Sequence, residues 1–478
     1  MTTTTSTPNT HAAADPPLTL WLTDRTRYKL GTSRCPRARY LGSHFGPTGY
    51  GITHRRDSLP LATGIGVHSG LEGFARVLAD HDRLPDLHET RAIIRDTIAQ
   101  YVARVEERGF RGILSNAVTE ETIKEQSALI SGLLWAARLK FLPWLQTNYR
   151  VIVVERERLH FLSCTCGASP LDPAEHIRRA CNGQALMLRT DVLARRRSGQ
   201  SLAYIEFKTT GWDSDAWVEQ WETDAQLGLG TLDTEALYGG EVTEIYIVGL
   251  SKGRRQKDRY DPEERKRQMS PLCYGYARPG NPPLQTEDWL PAWEWTTDQG
   301  DVKRASRAHK RKGVWLLGES DWPMWKAYHA SDPEMTPEEF WVRFLPSSLL
   351  EKSCFILGPM NPQQAQVASL LRSMQGEEDR WQHTLWELYE LQQQHAWASA
   401  VFQSELDRKV PCSWACRPFG KEHQCEFVPI CHRHQGWDDP IGSGQYQPRL
   451  PHHEPERLQA VARGLIPAEA LEQEDDDA

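Results

Sequence analysis

Two alternating runs on either side of one tight turn constrain this chain most. Ala185-Leu-Met-Leu-Arg-Thr-Asp-Val-Leu-Ala-Arg-Arg196 and Ser201-Leu-Ala-Tyr-Ile-Glu-Phe-Lys-Thr209 alternate apolar and polar residues, and Ser198-Gly199 sits between them. Period two is the strand signature and Ser-Gly is a turn signal, so the segment reads as an antiparallel hairpin. With Ser198-Gly199 as a two-residue turn, Arg197 pairs with Gln200, and counting outward puts Asp191 opposite Glu206. Directly opposed side chains lie about 4.5–5.5 Å apart at Cβ. Glu206 and Lys208, two residues apart, share a face, and Phe207 points to the other. Two carboxylates that close repel each other unless a hard divalent cation lies between them. Lys208 beside them could orient or deprotonate a water and stabilise charge on a phosphate, which suits metal-assisted phosphodiester hydrolysis. The bland alternative is an ordinary polar strand face, and a one-residue slip of the turn would break the pairing.

The rest of the chain supplies the setting. Residues 1–17 lack the basic and apolar regions of a signal peptide and read as a disordered leader. Residues 18–60 show no clear period. Helical spacing appears over 67–78, and further helices are expected over 89–108, 117–141 and 213–232. Tyr149–Glu155 and Val242–Leu250 read as strands. Residues 251–334 are rich in Arg, Lys, Pro, Gly and Trp and read as a basic insertion. Over 335–404 a helical segment is expected, with helices near 336–350 and 361–404, then a cysteine cluster over 405–435 and a flexible Pro/His-rich, acidic tail over 436–478.

Charge and composition exclude some roles. The 478 residues carry a net charge of -8, so the protein is no general basic coat for nucleic acid. Local basic stretches occur at Arg195-Arg196-Arg197, Lys252–Lys257, Arg265–Arg267 and Lys303–Lys312. Any one of them can equally be a solvated loop. The insertion adds Trp289, Trp293, Trp295 and Trp315, which suits stacking on unpaired bases, although packing is the commoner use of tryptophan. No run of about 18 apolar residues occurs, so no membrane-spanning helix is expected, and a cytoplasmic location follows. No phosphate-loop motif is present.

Ten cysteines are present, and four of them, Cys412, Cys416, Cys425 and Cys431, fall close together near the C-terminus. Disulfides are not expected in a cytosolic protein. Cys416-x8-Cys425-x5-Cys431 is a ligand spacing, and thiolates select iron–sulfur clusters or zinc. Cys412 could replace Cys416, and His432 or His434 could complete a zinc site. Cys164-Thr165-Cys166 has no nearby partner in the sequence and reads as structural.

The pattern D-x14-E-x-K formed by Asp191, Glu206 and Lys208 resembles the PD-(D/E)XK nuclease superfamily. The likeness is to RecB-like exonucleases, the AddB nuclease subunit and CRISPR-adaptation nucleases. Leu61-Ala-Thr-Gly-Ile-Gly-Val-His68 is similar to the upstream G-x-x-x-H motif, and Trp221-Glu-Thr-Asp-Ala-Gln226 to the glutamine motif. The family usually places a tyrosine four residues after that glutamine, where this chain has Gly230. The resemblance covers roughly 28–250 and 400–432 and implies an α/β fold with a mixed central sheet flanked by helices. It also implies Mg²⁺ or Mn²⁺ held by His68, Asp191 and Glu206, with Lys208 and Gln226 assisting. Cys35-Pro36-Arg-Ala-Arg-Tyr40 resembles the family's N-terminal C-P-x-x-x-Y segment. Cys35 with Cys416, Cys425 and Cys431 would then hold a 4Fe-4S cluster that ties the chain ends together.

The expected function is a metal-dependent deoxyribonuclease, more an exonuclease than an endonuclease, in phage or bacterial recombination, repair or DNA degradation. DNA is the expected partner, with a helicase or recombination protein as a second one. The competing reading is a non-catalytic iron–sulfur or zinc DNA-binding protein on a degenerate nuclease fold.

Overall fold

The computed structural model describes residues 20–46, 49–109, 120–164, 166–168, 173–179, 181, 183–210, 219, 221, 225–252, 294–296, 300–304, 309–311, 314–316, 321–344, 353–361, 364–413, 425–434, 436–451 and 453–467. The architecture is α/β. Its main sheet has six strands: β1 (Trp21–Thr23), β2 (Tyr149–Ser163), β3 (Gln184–Arg196), β4 (Leu202–Thr210), β5 (Val242–Ser251) and β6 (Cys354–Met360). The order is β1-β3-β4-β5-β6, and β2 also pairs with β3. β1 with β3 and β4 with β5 run parallel, and the other pairs are antiparallel, so the sheet is mixed as expected.

Helices α2 (Leu59–His81), α3 (Leu87–Arg108) and α4 (Glu120–Asn148) pack against one face of the sheet. Their ends follow from local chemistry. The Ser58 hydroxyl caps α2 by accepting from the Leu61 amide. Asp86 and Glu89 form a reciprocal capping box at the start of α3. α2 can lie close to α4 because Gly70 faces Leu134; a Cβ there would meet the Leu134 side chain at 2.4 Å. That close approach seats α2, and with it His68, against the sheet. The part of α4 from Gln126 to Asn148 is long and apolar enough to cross a bilayer, but most of it is buried inside this core.

A second core joins the chain ends. Helix α1 (Pro36–Ser43) packs with the long helix α8 (Gln364–Gln394), helix α9 (Ala400–Lys409) and the short helix α10 (Val428–Cys431), through Leu41, Phe45, Trp381, Phe402 and Phe427. Two ion pairs between remote segments are fully buried in this half: Arg39 with Glu378, and Arg27 with Glu456 of helix α11 (Glu454–Ala462).

Three segment boundaries differ from the sequence reading. Residues 335–404 are not purely helical: helix α7 (Pro337–Phe344) precedes β6, which adds an edge strand to the sheet. In Cys354-Phe-Ile-Leu-Gly-Pro-Met360 the Gly-Pro pair hides a strand that an irregularity lets through after Leu357. Residues 436–467 are not a flexible tail. Tyr446–Pro448 pairs with Ile52–His54, Tyr446 is buried, and α11 anchors on Arg27 through Glu456. In the proposed insertion, Glu294–Thr296 with Val302–Arg304 and His309–Arg311 with Val314–Leu316 form two small hairpins. Residues 253–293 and the start of the expected 213–232 helix lie outside the described residues; helix α5 (Pro173–Arg178) lies between β2 and β3, and helix α6 (Ala225–Leu229) follows β4.

Candidate functional site

The hairpin register is the one expected: Arg195 faces Leu202 and Val192 faces Ile205, so the count leads to Asp191 opposite Glu206. The ladder ends one pair short of them. Beyond that point β4 continues along β5, while β3 continues between β2 and β1. The gap between the parting strands is closed by a side chain: the Phe207 amide donates to Asp191 Oδ2 at 2.6 Å.

His68 reaches the same carboxylate from α2, with Nε2 3.1 Å from Asp191 Oδ2. Its other nitrogen, Nδ1, lies 3.1 Å from Glu155 Oε1 on β2. Glu155 is thereby a site residue that the sequence reading placed only at the end of a strand. It follows the β-branched run Val151–Val154, but nothing in the sequence fixed its register against Asp191. The structure does so: Val154 faces Val192 and Arg156 faces Thr190, with Glu155 between them at φ +43°. That left-handed conformation costs a non-glycine residue about 1–3 kcal/mol and aims the carboxylate inward. Arg189 donates to the other Glu155 oxygen at 2.5 Å.

Ligand atoms of His68, Glu155 and Asp191 all lie within 4.8 Å of one another, close enough to hold one metal ion. Burial disfavours the charged imidazole, but Asp191 and Glu155 outweigh it and hold His68 up at about 10. Two buried carboxylates arranged to stabilise a half-buried cation also suit a bound metal ion.

Glu206 falls outside that three-residue set. It is 2% exposed, and its two oxygens accept from the Tyr204 hydroxyl and the Lys208 ammonium, both on its own strand face. Burial, with Asp191 nearby, pushes its carboxyl up. Burial opposes the Lys208 charge, but Glu206 and Asp191 raise its pKa, and the ammonium also lies 5.5 Å from the centre of the Trp221 ring. Gln226 lies on α6 and its side chain is outside the described residues. The glycine at 230 has a local cause. A Cβ there would come within 2.4 Å of the Tyr204 ring, the ring whose hydroxyl holds Glu206.

Of the C-terminal cysteines, Cys416 lies outside the described residues. Cys412 lies near both Cys35 and Cys431, and Cys425 and Cys431 pack on the core that contains Cys35. The Cys412 contact, reinforced by burial, pushes the Cys35 thiol up to about 12. No disulfide joins any two of the eight described cysteines.

One reading needs correction. Cys164 and Cys166 are not isolated: Cys164, Cys166, His176 and Cys181 form a cysteine-rich group that could hold a metal ion. The sequence showed Cys164-x-Cys166 but not that α5 and the start of β3 fold back onto it.

No protein-family model matches this chain, and the search of curated proteins found no match either.

Proposed function

We propose that this protein is a divalent-metal-dependent deoxyribonuclease of the RecB-like PD-(D/E)XK type. One observation carries the reading: His68, Glu155 and Asp191 converge where β3 and β4 part, with the Glu206–Lys208 pair on the adjoining strand. His68, Glu155 and Asp191 would hold Mg²⁺ or Mn²⁺, and Glu206 is the next carboxylate within the field of Asp191. Oxygen donors with one imidazole fit such hard or borderline ions. A divalent ion bound there supplies Lewis-acid stabilisation of the phosphate and an acidified water.

The chain's own residues do the rest. Asp191, fixed by the Phe207 amide, and Glu155, fixed by Arg189, hold the imidazole between them. Lys208 stays protonated and presents its ammonium beside Glu206, where it would orient a water and balance charge on the scissile phosphate. Tyr204 holds the second Glu206 oxygen and keeps that carboxylate turned toward the lysine. A groove of mixed charge between α2 and α3 opens beside His68, lined by Ser69, Gln100, Arg104 and Arg189 together with Glu72 and Glu107.

The thiols fit an iron–sulfur role. Cys412 lies near both Cys35 and Cys431, and Cys425 lies on the same core. Cys412 then takes the place expected of Cys416 in a 4Fe-4S site whose work is to join the two chain ends. A cytoplasmic location, and a helicase or recombination partner to supply single strands, belong to the same proposal.

The test is digestion of end-labelled single- and double-stranded DNA with Mg²⁺ or Mn²⁺, comparing wild type with Lys208→Ala. Metal-dependent cutting lost in the variant supports the reading. DNA binding without cutting under either metal assigns the non-catalytic role instead.

A further inference from the structure

β2 and β3 form the longest antiparallel pair in the sheet, and among the described residues of the chain between them, 164–183, the short helix α5 is the regular element. A connection of this length needs something to hold it. Cys164 and Cys166 leave the end of β2, His176 lies on α5, and Cys181 stands just before β3. Cys164 Sγ is 3.3 Å from Cys166 Sγ, 3.2 Å from Cys181 Sγ and 3.5 Å from His176 Nδ1. Cys166 Sγ is 3.2 Å from the same nitrogen.

The surroundings are built for this cluster. His176 is 1% exposed, and its ring stacks on Phe161 with centroids 3.9 Å apart, which fixes the nitrogen toward the sulfurs. Gly167, at φ +71°, turns the chain so that the Ala168 amide donates to Cys166 Sγ at 3.5 Å. The Arg179 guanidinium holds the Cys166 carbonyl at 2.9 Å.

We propose that Cys164, Cys166, Cys181 and His176 Nδ1 form a structural zinc site that closes the β2–β3 connection. Simple packing does not account for the imidazole aimed at two thiols. A disulfide would leave the third thiol unused, and the sulfurs stand well beyond the roughly 2.05 Å of an S–S bond. Three thiolates and one imidazole are a closed, tetrahedral zinc set with no open position for substrate. All four ligand atoms lie within 4.8 Å of one another, which fits a single ion. Zn–S bonds of about 2.3 Å place sulfurs about 3.8 Å apart around such an ion, whereas a two-iron cluster would spread the ligands further. The site also orders the start of β3, where the Trp21 amide donates to the Gly183 carbonyl at 2.9 Å and β1 joins the sheet.

This inference is independent of the nuclease reading and of whatever Cys35 and its neighbours bind, and its test uses no activity. The full-length protein, purified from zinc-supplemented medium, is assayed for zinc and iron by mass spectrometry beside Cys166→Ser and His176→Ala. The expected result is one zinc equivalent per chain lost in each variant with iron unchanged. If the variants do not fold, zinc-edge absorption of the wild type decides, with an expected shell of sulfur at about 2.3 Å and nitrogen at about 2.0 Å. Zinc-free wild type, zinc content unchanged in the variants, iron lost in place of zinc, or an oxygen-dominated shell overturns the proposal.

Discussion

The Phe207 amide donates to the Asp191 carboxylate at 2.6 Å, across the point where the two strands of the hairpin separate. Asp191 therefore does two things: it stands in for a missing backbone partner, and it presents charge to His68. Asparagine separates the two, because its side-chain oxygen still accepts from Phe207 while the charge is lost. Asp191→Asn is expected to keep the wild-type circular dichroism spectrum and melting temperature to within a few degrees. Metal-dependent DNA cleavage should fall on the order of 100-fold or more. A variant that cuts DNA at the wild-type rate would remove Asp191 from the site.

Glu155 makes the next prediction, because it orients His68 and also offers a ligand oxygen. Glu155→Gln keeps the shape and removes the charge. Support of this kind typically accounts for roughly 10–100-fold in metal affinity or activity. Cleavage as a function of Mn²⁺ should then half-saturate at a higher concentration, with partial recovery at high metal. A change in maximal rate with no shift along the metal axis would count against a ligand or ligand-orienting role.

The third prediction concerns the thiols at the chain ends. Cys35→Ser and Cys412→Ser are expected to lose iron and the brown colour of anaerobically purified protein, whereas Cys416→Ser should retain both. The nearness of Cys412 to Cys35 and Cys431 is the basis. Loss of iron in Cys416→Ser but not in Cys412→Ser would restore the assignment that the spacing suggested.

A feature of this chain is legible in its sequence where it is local. The hairpin was legible because alternation and a Ser-Gly turn fix a register, and Val192 opposite Ile205 is that register. Glu155 was not legible, since its place opposite Asp191 depends on an irregular pairing across a remote strand, with a backbone angle no pattern announces. The thiol–imidazole group failed for a similar reason: His176 and Cys181 reach Cys164 only once α5 folds back. β6 was hidden by its Gly-Pro pair, and α11 by surrounding prolines and histidines that resemble loop. Its anchor, Glu456 on Arg27, joins residues at opposite ends of the chain.

A pH dependence follows from Glu338, partly buried in the first turn of α7. Burial pushes its carboxyl from 4.5 up to about 7, against the pull of its own backbone amide and the Thr336 hydroxyl. The folded chain thus keeps a proton that the unfolded chain releases near 4.5, so stability is greatest below that value and falls as pH rises toward 7. Glu338→Gln has no proton to lose. Its unfolding free energy in urea should match wild type below pH 4 and exceed it at pH 8, by roughly 1 kcal/mol after allowance for partial exposure. Parallel curves for the two proteins across that range would show that Glu338 does not carry this slope.

The buried pair of Arg39 and Glu378 gives a prediction about how the chain ends are held. Both side chains are 0% exposed, Trp21 Nε1 also donates to Glu378 at 2.9 Å, and the guanidinium lies 4.5 Å from the centre of the Trp381 ring. Desolvating two charges offsets most of their attraction, so the pair adds little net stability, but either charge left alone is costly. Glu378→Leu should therefore lose about 3–5 kcal/mol, seen as a large drop in the denaturant midpoint. Arg39→Met with Glu378→Leu removes both charges together, and most of that loss should return. A double variant as unstable as Glu378→Leu alone would mean that the pair stabilises the second core directly, through its bonds to Trp21 and Trp381.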